Sequence, residues 1–100
     1  MKKKSGKYVI VRCSAAGVHA GELVEHKGNQ VVLANARRLW RWFSSLSLSD
    51  LAMEGPRKDK IEENIYSMPV DKITVMDACE VIECSAEGEK GIKEVPNGNR

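Results

Sequence analysis

Hydrophobic and polar positions alternate along much of the first half of the chain, a pattern that predicts strands. Tyr8–Val11 is rich in β-forming residues and begins a first strand. Val18–His26 alternates in part, Lys27–Asn29 is a turn, and a return strand starts at Gln30. These segments predict a β-hairpin whose second strand runs on through residues 34–36 into the segment that follows.

A short helix is predicted between residues 47 and 54. Ser47 followed three residues later by Asp50 matches a capping box, and Gly55-Pro56 is a typical helix stop. The charged segment 57–64 is predicted to be a surface loop.

Three further strands and a second helix complete the predicted elements. The strands are expected at Ile65–Met68, Lys72–Met76 and Ala78–Cys84. Ser85 is a candidate cap for a helix that extends to Val95 and that Gly88 and Gly91 weaken. The predicted fold class is therefore α+β: a small, mostly antiparallel β-sheet or partly open barrel with one or two short helices.

The length of 100 residues predicts a single domain over residues 1–100. Residues 1–7 are expected to be a basic N-terminal tail and residues 96–100 a frayed C-terminal tail. Only five residues are aromatic, so the core is small and consists mainly of aliphatic side chains. A small core favours assembly as a homo-oligomer.

Charge is distributed unevenly between the two halves of the chain. Residues 1–48 contain nine basic and two acidic residues, a balance of +7, and residues 49–100 contain seven basic and twelve acidic residues, a balance of −5. This asymmetry indicates that one half meets an anion, or that the two halves attract each other within or between subunits.

Cysteine usage and hydropathy exclude several classes of protein. The three cysteines are an odd number without a C-x-x-C spacing, which argues against a disulfide framework and a zinc site. Cys13 and Cys79 lie in apolar runs and are expected to be buried, reduced thiols of a cytoplasmic protein. No apolar run reaches the ~20 residues of a membrane span, and the N-terminus is not a secretory signal, so no membrane partner is expected.

The segment 37–43 has the most distinctive chemistry of the chain, because it holds three of the six arginines and three of the five aromatic residues. Arginine offers a planar set of donors for phosphate oxygens, and tryptophan offers a face on which a base stacks. In an extended strand, alternation places Arg38, Trp40 and Trp42 on one side and Arg37, Leu39 and Arg41 on the other, unless a bulge near Asn35 swaps the faces. Alternatively, the tryptophans and Leu39 anchor the core and the arginines are solvated.

A second candidate site is the glycine-flanked segment 17–21. Gly17 and Gly21 allow a backbone to approach a phosphate, and His19 is a further donor. The segment lacks a Walker A motif and a dinucleotide fingerprint, so a simple bend is the alternative. His19 and His26 lie seven residues apart on one predicted strand and face opposite sides. Because no nucleophile motif or metal cluster accompanies them, we expect a protein that is not an enzyme and needs no cofactor.

Four segments of the sequence resemble a family of small proteins found mainly in tailed bacteriophages and prophages, a family known as a domain of unknown function. They are Gly17–Leu23 (GVHAGEL), Val31–Leu33, Ala36–Trp42 (ARRLWRW) and Leu46–Ala52 (LSLSDLA). The resemblance spans about residues 8–95. The family pattern continues with Ser-Gly-Ala after the second Trp, where this chain has Phe43-Ser44-Ser45, and many members have a Trp where this chain has Asn97.

The resemblance implies a phage protein that acts in the cytoplasm of the host bacterium. Small phage proteins of this size include sponges that sequester the cyclic nucleotide signals of CBASS immunity, and this chain is expected to be similar to them. Its expected function is to bind a nucleotide second messenger, such as a cyclic dinucleotide, at a subunit interface without cleaving it. The expected ligand-binding residues are Gly17, His19, Arg37, Arg38, Trp40, Arg41 and Trp42.

Two other functions use the same residues. A nucleic-acid-binding module would grip a strand with the arginines and tryptophans. A protein–protein inhibitor of a host enzyme would use them as a hot spot.

Overall fold

The fold was described from a computed structural model, which covers residues 7–14, 17–42 and 47–98. Its strands are β1 (Tyr8–Cys13), β2 (Gly17–Lys27), β3 (Gln30–Arg41), β4 (Ile65–Tyr66), β5 (Val70–Val75) and β6 (Ala78–Glu83). Its helices are α1 (Leu48–Glu54), a 3₁₀ helix (Lys58–Glu63) and α2 (Ala86–Glu94). The α+β class is confirmed. Most of the predicted N-terminal tail, Phe43 and the last two residues of the predicted C-terminal tail lie outside the described residues.

The six strands form one antiparallel sheet in the order β4-β3-β2-β1-β6, with β5 also beside β3. Strand β3 pairs with β2 on one side, and on the other it pairs first with β5 and then with β4. Strands β5 and β6 lie at opposite ends of this order, yet only Met76 and Asp77 join them. The sheet must therefore coil so that its ends approach each other, but no pairing joins β5 to β6 among the described residues, so it is an open sheet.

Each face of the coiled sheet covers its own hydrophobic core. The inner core fills the coil and consists of Val9, Val11, Cys13, Val31, Leu33, Ala36 and Val75. The helical core lies between the opposite face and the helices and consists of Tyr8, Ile10, Ala20, Leu39, Leu48, Leu51, Ala52, Tyr66, Ile92 and Val95. Strand β1 supplies both cores because successive side chains of a strand point to opposite faces.

A β-bulge at Asn35 changes which residues of β3 face each core. Before it, Leu33 faces the inner core. Asn35 has a φ of 50°, and the register with β2 shifts at this point. Beyond it, Ala36 faces the inner core and Leu39 the helical core. The bulge that the sequence left open as an alternative near Asn35 is therefore present, and it turns the side chain of Arg37 toward the helices.

The two helices begin at the expected residues. The Ser47 amide donates to Asp50 Oδ2 (3.1 Å), and the Ser49 amide donates to Ser47 Oγ (3.2 Å), as the capping box predicted. The prediction of a surface loop at 57–64 is wrong in part, because residues 58–63 form a 3₁₀ helix. The expected strand at 65–68 is shorter than predicted, since β4 ends at Tyr66.

The N-terminus of α2 packs directly on the C-terminus of α1. The Ser85 amide donates to Ala52 O (3.0 Å), and Ser85 Oγ donates to Met53 O (2.6 Å) and accepts from the Gly88 amide (3.0 Å). A Cβ at Gly88 would lie 1.8 Å from Ala52 O. This glycine therefore permits the contact between the helices, whereas the sequence predicted only that it weakens α2.

We expect Gly88→Ala to destabilise the fold by about 1–3 kcal/mol, because the new methyl group overlaps a backbone oxygen. Helix propensity alone gives the opposite sign, a gain of about 1 kcal/mol. Urea denaturation followed by circular dichroism measures the difference. A Gly88→Ala variant more stable than the parent protein would contradict the close contact.

Arg37 joins the sheet to α2 and to the segment that follows it. Its side chain is 3% exposed, and its Cζ lies 5.1 Å from the centroid of the Tyr66 ring. The guanidinium donates four hydrogen bonds, to Ser67 O (2.8 Å), Ile92 O (2.9 Å), Pro96 O (3.3 Å) and Asn97 Oδ1 (3.3 Å). Burial lowers the pKa of the Arg37 guanidinium, but an arginine stays protonated at neutral pH.

Arg37→Met is expected to lower the free energy of unfolding by about 2–4 kcal/mol, because it leaves the buried carbonyl of Ile92 and the part-buried carbonyls of Ser67 and Pro96 without this donor. Arg37→Lys should recover only part of the loss, since an ammonium group cannot replace a planar set of donors. The matched control is Arg12→Met, because Arg12 makes an exposed ion pair with Glu80 (3.0 Å), and such a pair contributes little to stability. Equal effects of Arg37→Met and Arg12→Met on the urea midpoint would show that Arg37 does not anchor the fold.

Candidate functional site

Arg38 and Trp40 lie next to each other on the face of β3 opposite the helices. Arg38 Cζ is 5.7 Å from the centroid of the Trp40 ring, a cation–π distance. Arg38 is half-buried, whereas Trp40 is 68% exposed. A tryptophan in a small protein normally contributes to the core, so one this exposed is available for contact with another molecule.

His19 completes a pocket with these two residues. It lies opposite Arg38 in the pairing of β2 with β3, and it is 1% exposed. The pocket has a volume of about 250 Å³ and is lined by His19, Ala36, Arg38, Trp40, Ser67, Val70 and Ile73. Three of the expected ligand-binding residues therefore meet in one place, although they come from two strands.

Ser67, between β4 and β5, fixes the backbone of Arg38. The Arg38 amide donates to Ser67 Oγ (2.9 Å), and the Ser67 amide donates to Arg38 O (2.9 Å). Sequence reasoning did not identify Ser67, Val70 or Ile73 as part of a site. They have no motif, and only the pairing of β4 and β5 with β3 brings them to Arg38.

The electrostatic character of the pocket suits an anion. Arg38 and His19 are the ionisable side chains among the described residues that line it, and no carboxylate is among them. Arg38 also interacts electrostatically with Cys13, which belongs to the inner core. Burial raises the pKa of the Cys13 thiol, and Arg38 acts in the opposite direction.

A second, more apolar pocket lies on the other side of Trp40. Its volume is about 500 Å³, and it is lined by Trp40, Ile65, Tyr66, Ser67, Met68 and Gly98. Trp40 and Ser67 belong to both pockets, so the two form one continuous surface. We call this surface the Trp40 face and define it by Arg38, Trp40, Met68, Val70 and Ile73.

Another groove, between the 3₁₀ helix and α2, has a different chemistry. It has a volume of about 370 Å³, and its lining includes Glu54, Lys58, Glu87, Lys90 and Glu94. Its lining combines lysines with carboxylates, and it contains none of the expected ligand-binding residues. It is therefore a weaker candidate for an anionic ligand than the pocket at Arg38.

The structure separates the remaining expected residues from this pocket. Arg37 is turned toward α2 by the bulge, and its guanidinium is engaged by the protein. A second register shift lies between Leu39 and Arg41 in the pairing of β3 with β4. It reverses the faces of the residues that follow, and Trp42 packs against the helical core. The expectation that Trp42 shares a face with Arg38 and Trp40 is therefore wrong. Arg41 is exposed at the end of β3.

Gly17 begins β2 in an exposed position and has a φ of +85°, a conformation that favours glycine. It does not line the pocket that contains His19. Its positive φ fits the glycine-flanked bend that the sequence offered as the alternative to a phosphate loop.

The three cysteines are free and differ in exposure. Cys13 is buried, Cys84 is half-buried, and burial raises the pKa of the Cys84 thiol to about 12. Cys79 is exposed, which corrects the expectation that it is buried. The described residues include no group of three or more His, Cys, Asp or Glu side chains arranged to hold a metal ion. Within the same part of the chain, no helix is long and apolar enough to span a membrane.

Comparison with known proteins identifies the family of the chain. No curated protein and no solved structure is significantly similar to it. One family model matches residues 6–92, and its description is "Domain of unknown function (DUF6948)". The match includes all of the sheet and most of α2, together with both residues that define the exposed cation–π pair. The chain therefore belongs to the DUF6948 family.

Proposed function

We propose that this protein binds a nucleotide-type ligand at the Trp40 face and leaves it chemically intact. The observation that carries the proposal is the largely exposed Trp40 beside the Arg38 guanidinium, in a pocket whose described lining has no carboxylate. A base would stack on the indole, and a phosphate would accept hydrogen bonds from the guanidinium. His19 lines the same pocket.

A cyclic dinucleotide is the ligand that we propose within this class. It combines flat bases with phosphates that each carry one negative charge, and Arg38 and Trp40 supply one group for each. The resemblance to small phage proteins leads us to propose a biological role as well. The protein would act in the cytoplasm of the host bacterium and sequester an immune signal, as a sponge does in CBASS immunity.

The energy available at one pocket sets a limit on affinity. Stacking on an aromatic side chain contributes about 1–3 kcal/mol per base, and a hydrogen bond to a charged group contributes about 1.5–3 kcal/mol. Micromolar binding corresponds to about 8.2 kcal/mol. One stacked base and one phosphate contact therefore give weak binding, and tight sequestration requires contacts from more than one pocket.

Isothermal titration calorimetry with cyclic di-GMP, cyclic di-AMP and 3′,3′-cyclic GMP-AMP tests the proposal. We expect at least one of them to bind, and Arg38→Ala to weaken that binding by about 2–5 kcal/mol, which is at least ~30-fold. Arg38→Lys should restore only part of the affinity, because lysine lacks the planar set of donors. Trp40→Ala should weaken binding by about 1–3 kcal/mol.

The control is Arg12→Ala, which removes an exposed arginine that pairs with Glu80 on a different strand. Its affinity should match that of the parent protein, and all variants should unfold at similar urea concentrations. If none of the three ligands binds, or if Arg38→Ala binds as well as Arg12→Ala does, the Trp40 face is not a nucleotide site.

Titrations repeated at several salt concentrations, with cyclic dinucleotides and with single-stranded DNA or RNA, distinguish a nucleotide-binding protein from a nucleic-acid-binding module. A strand that contacts several cations releases several counterions, so its affinity falls steeply as salt rises from 50 to 200 mM. A ligand with two phosphates should show a shallow slope. A steep slope with single-stranded DNA or RNA, and no binding of cyclic dinucleotides, would favour the nucleic-acid module.

A protein inhibitor is the second candidate function, and one observation favours it. Trp40, Met68 and Val70 form an exposed apolar surface with an arginine beside it, the composition of many interface hot spots. Purification of a tagged protein from host lysate would support this function if a single host enzyme co-purified in equal amounts and the Trp40→Ala variant lost it.

Cyclic dinucleotide recovered after incubation and heat denaturation should be chromatographically unchanged. A linear dinucleotide or a mononucleotide product would contradict binding without cleavage.

A further inference from the structure

The pocket at Arg38 is too small and too open to enclose a whole cyclic dinucleotide. Its volume of about 250 Å³ lies below the roughly 300–1,000 Å³ of most small-molecule sites. It is open to solvent, because Trp40 in its lining stays 68% exposed. The pocket at Arg38 can therefore accommodate about one base and one phosphate, which is half of such a ligand, and no described cation lines the adjoining apolar pocket to bind a second phosphate.

The rest of the Trp40 face has the properties of an interface centre. Trp40, Met68 and Val70 are 68%, 61% and 45% exposed, although all three are large and apolar. At an exposure of 68%, Trp40 alone presents about 170 Å² of mostly apolar surface. A standard interface buries about 800 Å² on each partner, with an apolar centre and a polar rim. The exposed apolar side chains of this face have the chemistry of the centre of such an interface.

The positive charge of the Trp40 face indicates the kind of ligand that would lie between two such faces. Arg38 is the charged residue of the Trp40 face, and no described carboxylate lines either pocket beside Trp40. Two copies brought together there would leave both arginines without an acidic partner. A ligand with two phosphates supplies one anion for each arginine.

We propose that two copies of this chain meet through their Trp40 faces and share one cyclic dinucleotide. This inference rests on the proposed function. It adds the stoichiometry of the complex and identifies a second copy of the chain as the group that covers the open side of the pocket. A cyclic dinucleotide with two identical halves has a two-fold axis, as does the commonest kind of homodimer. Each chain contributes one Trp40 to a base and one Arg38 to a phosphate, and each chain closes the open side of its partner's pocket.

Native mass spectrometry and sedimentation velocity measure the stoichiometry with cyclic di-GMP, cyclic di-AMP and 3′,3′-cyclic GMP-AMP as probes. The expected complex contains two chains and one ligand. The mononucleotides GMP and AMP, which correspond to half of the ligand, should bind weakly, at one molecule per chain.

Met68→Glu separates the shared site from the pocket itself. Met68 lies beside Trp40 but does not line the pocket that contains Arg38. Its substitution should abolish the 2:1 complex and weaken binding of the cyclic dinucleotide at least 10-fold more than it weakens binding of the mononucleotide. The control is Met76→Glu, since Met76 is also 61% exposed but lies between β5 and β6, and it should behave as the parent protein.

The outcomes distinguish the two proposals. One ligand per chain, or unchanged cyclic dinucleotide binding in Met68→Glu, would overturn the shared site and leave the proposed nucleotide function in place. No binding of any cyclic dinucleotide or mononucleotide would overturn both. A 2:1 complex that Met76→Glu retains and Met68→Glu loses is the result that we expect.

Discussion

The β-bulge at Asn35 sets the direction of the side chains of β3 between it and the second register shift near the end of the strand. Asn35 adopts a φ of 50°, and one residue is added to the strand relative to β2. Without this residue, Arg37 would continue the alternation of Leu33 and face the inner core. With it, Arg37 faces the helices and Arg38 faces the open side of the coiled sheet. One backbone irregularity thus gives two adjacent arginines different environments.

The environment of Arg37 explains how the helices are held on the sheet. Its guanidinium contacts backbone oxygens of α2, of the segment after α2 and of the link between β4 and β5. Ser67 takes part on both sides, because its carbonyl accepts from Arg37 while its hydroxyl accepts from the Arg38 amide. The hydrogen bonds of Arg37 and the backbone of Arg38 at the pocket therefore both depend on the position of Ser67.

Local signals in the sequence were sufficient for most of the elements. The turn at 27–29 predicted the hairpin, and Ser47, Asp50 and Gly55 predicted the limits of α1, because these signals act over three or four residues. Contacts between residues far apart in sequence could not be predicted from such local signals. The role of Gly88 depends on Ala52, which is far away in sequence, so the sequence indicated only a weak helix.

The candidate site was likewise predictable where it depends on local signals but not where it depends on long-range contacts. Composition identified the segment 37–43, and the register places Arg38, Trp40 and His19 together. Alternation alone could not place Trp42 correctly, because a second register shift follows Leu39. Ser67 and Met68 reach the Trp40 face only through strand pairing, and neither carries a motif that would have identified it.

The location of the binding site is the central claim, and the two tryptophans report on it independently. Spectra of ¹H–¹⁵N correlations resolve the two indole Nε1–H signals, which Trp40→Phe and Trp42→Phe variants assign. During titration with a cyclic dinucleotide, the Trp40 indole signal and the amide signals of His19 and Arg38 should shift, while the Trp42 indole signal should stay in place. Shifts at Trp42 with no change at Trp40, or no shift at any of these groups at saturating ligand, would contradict a site on the Trp40 face.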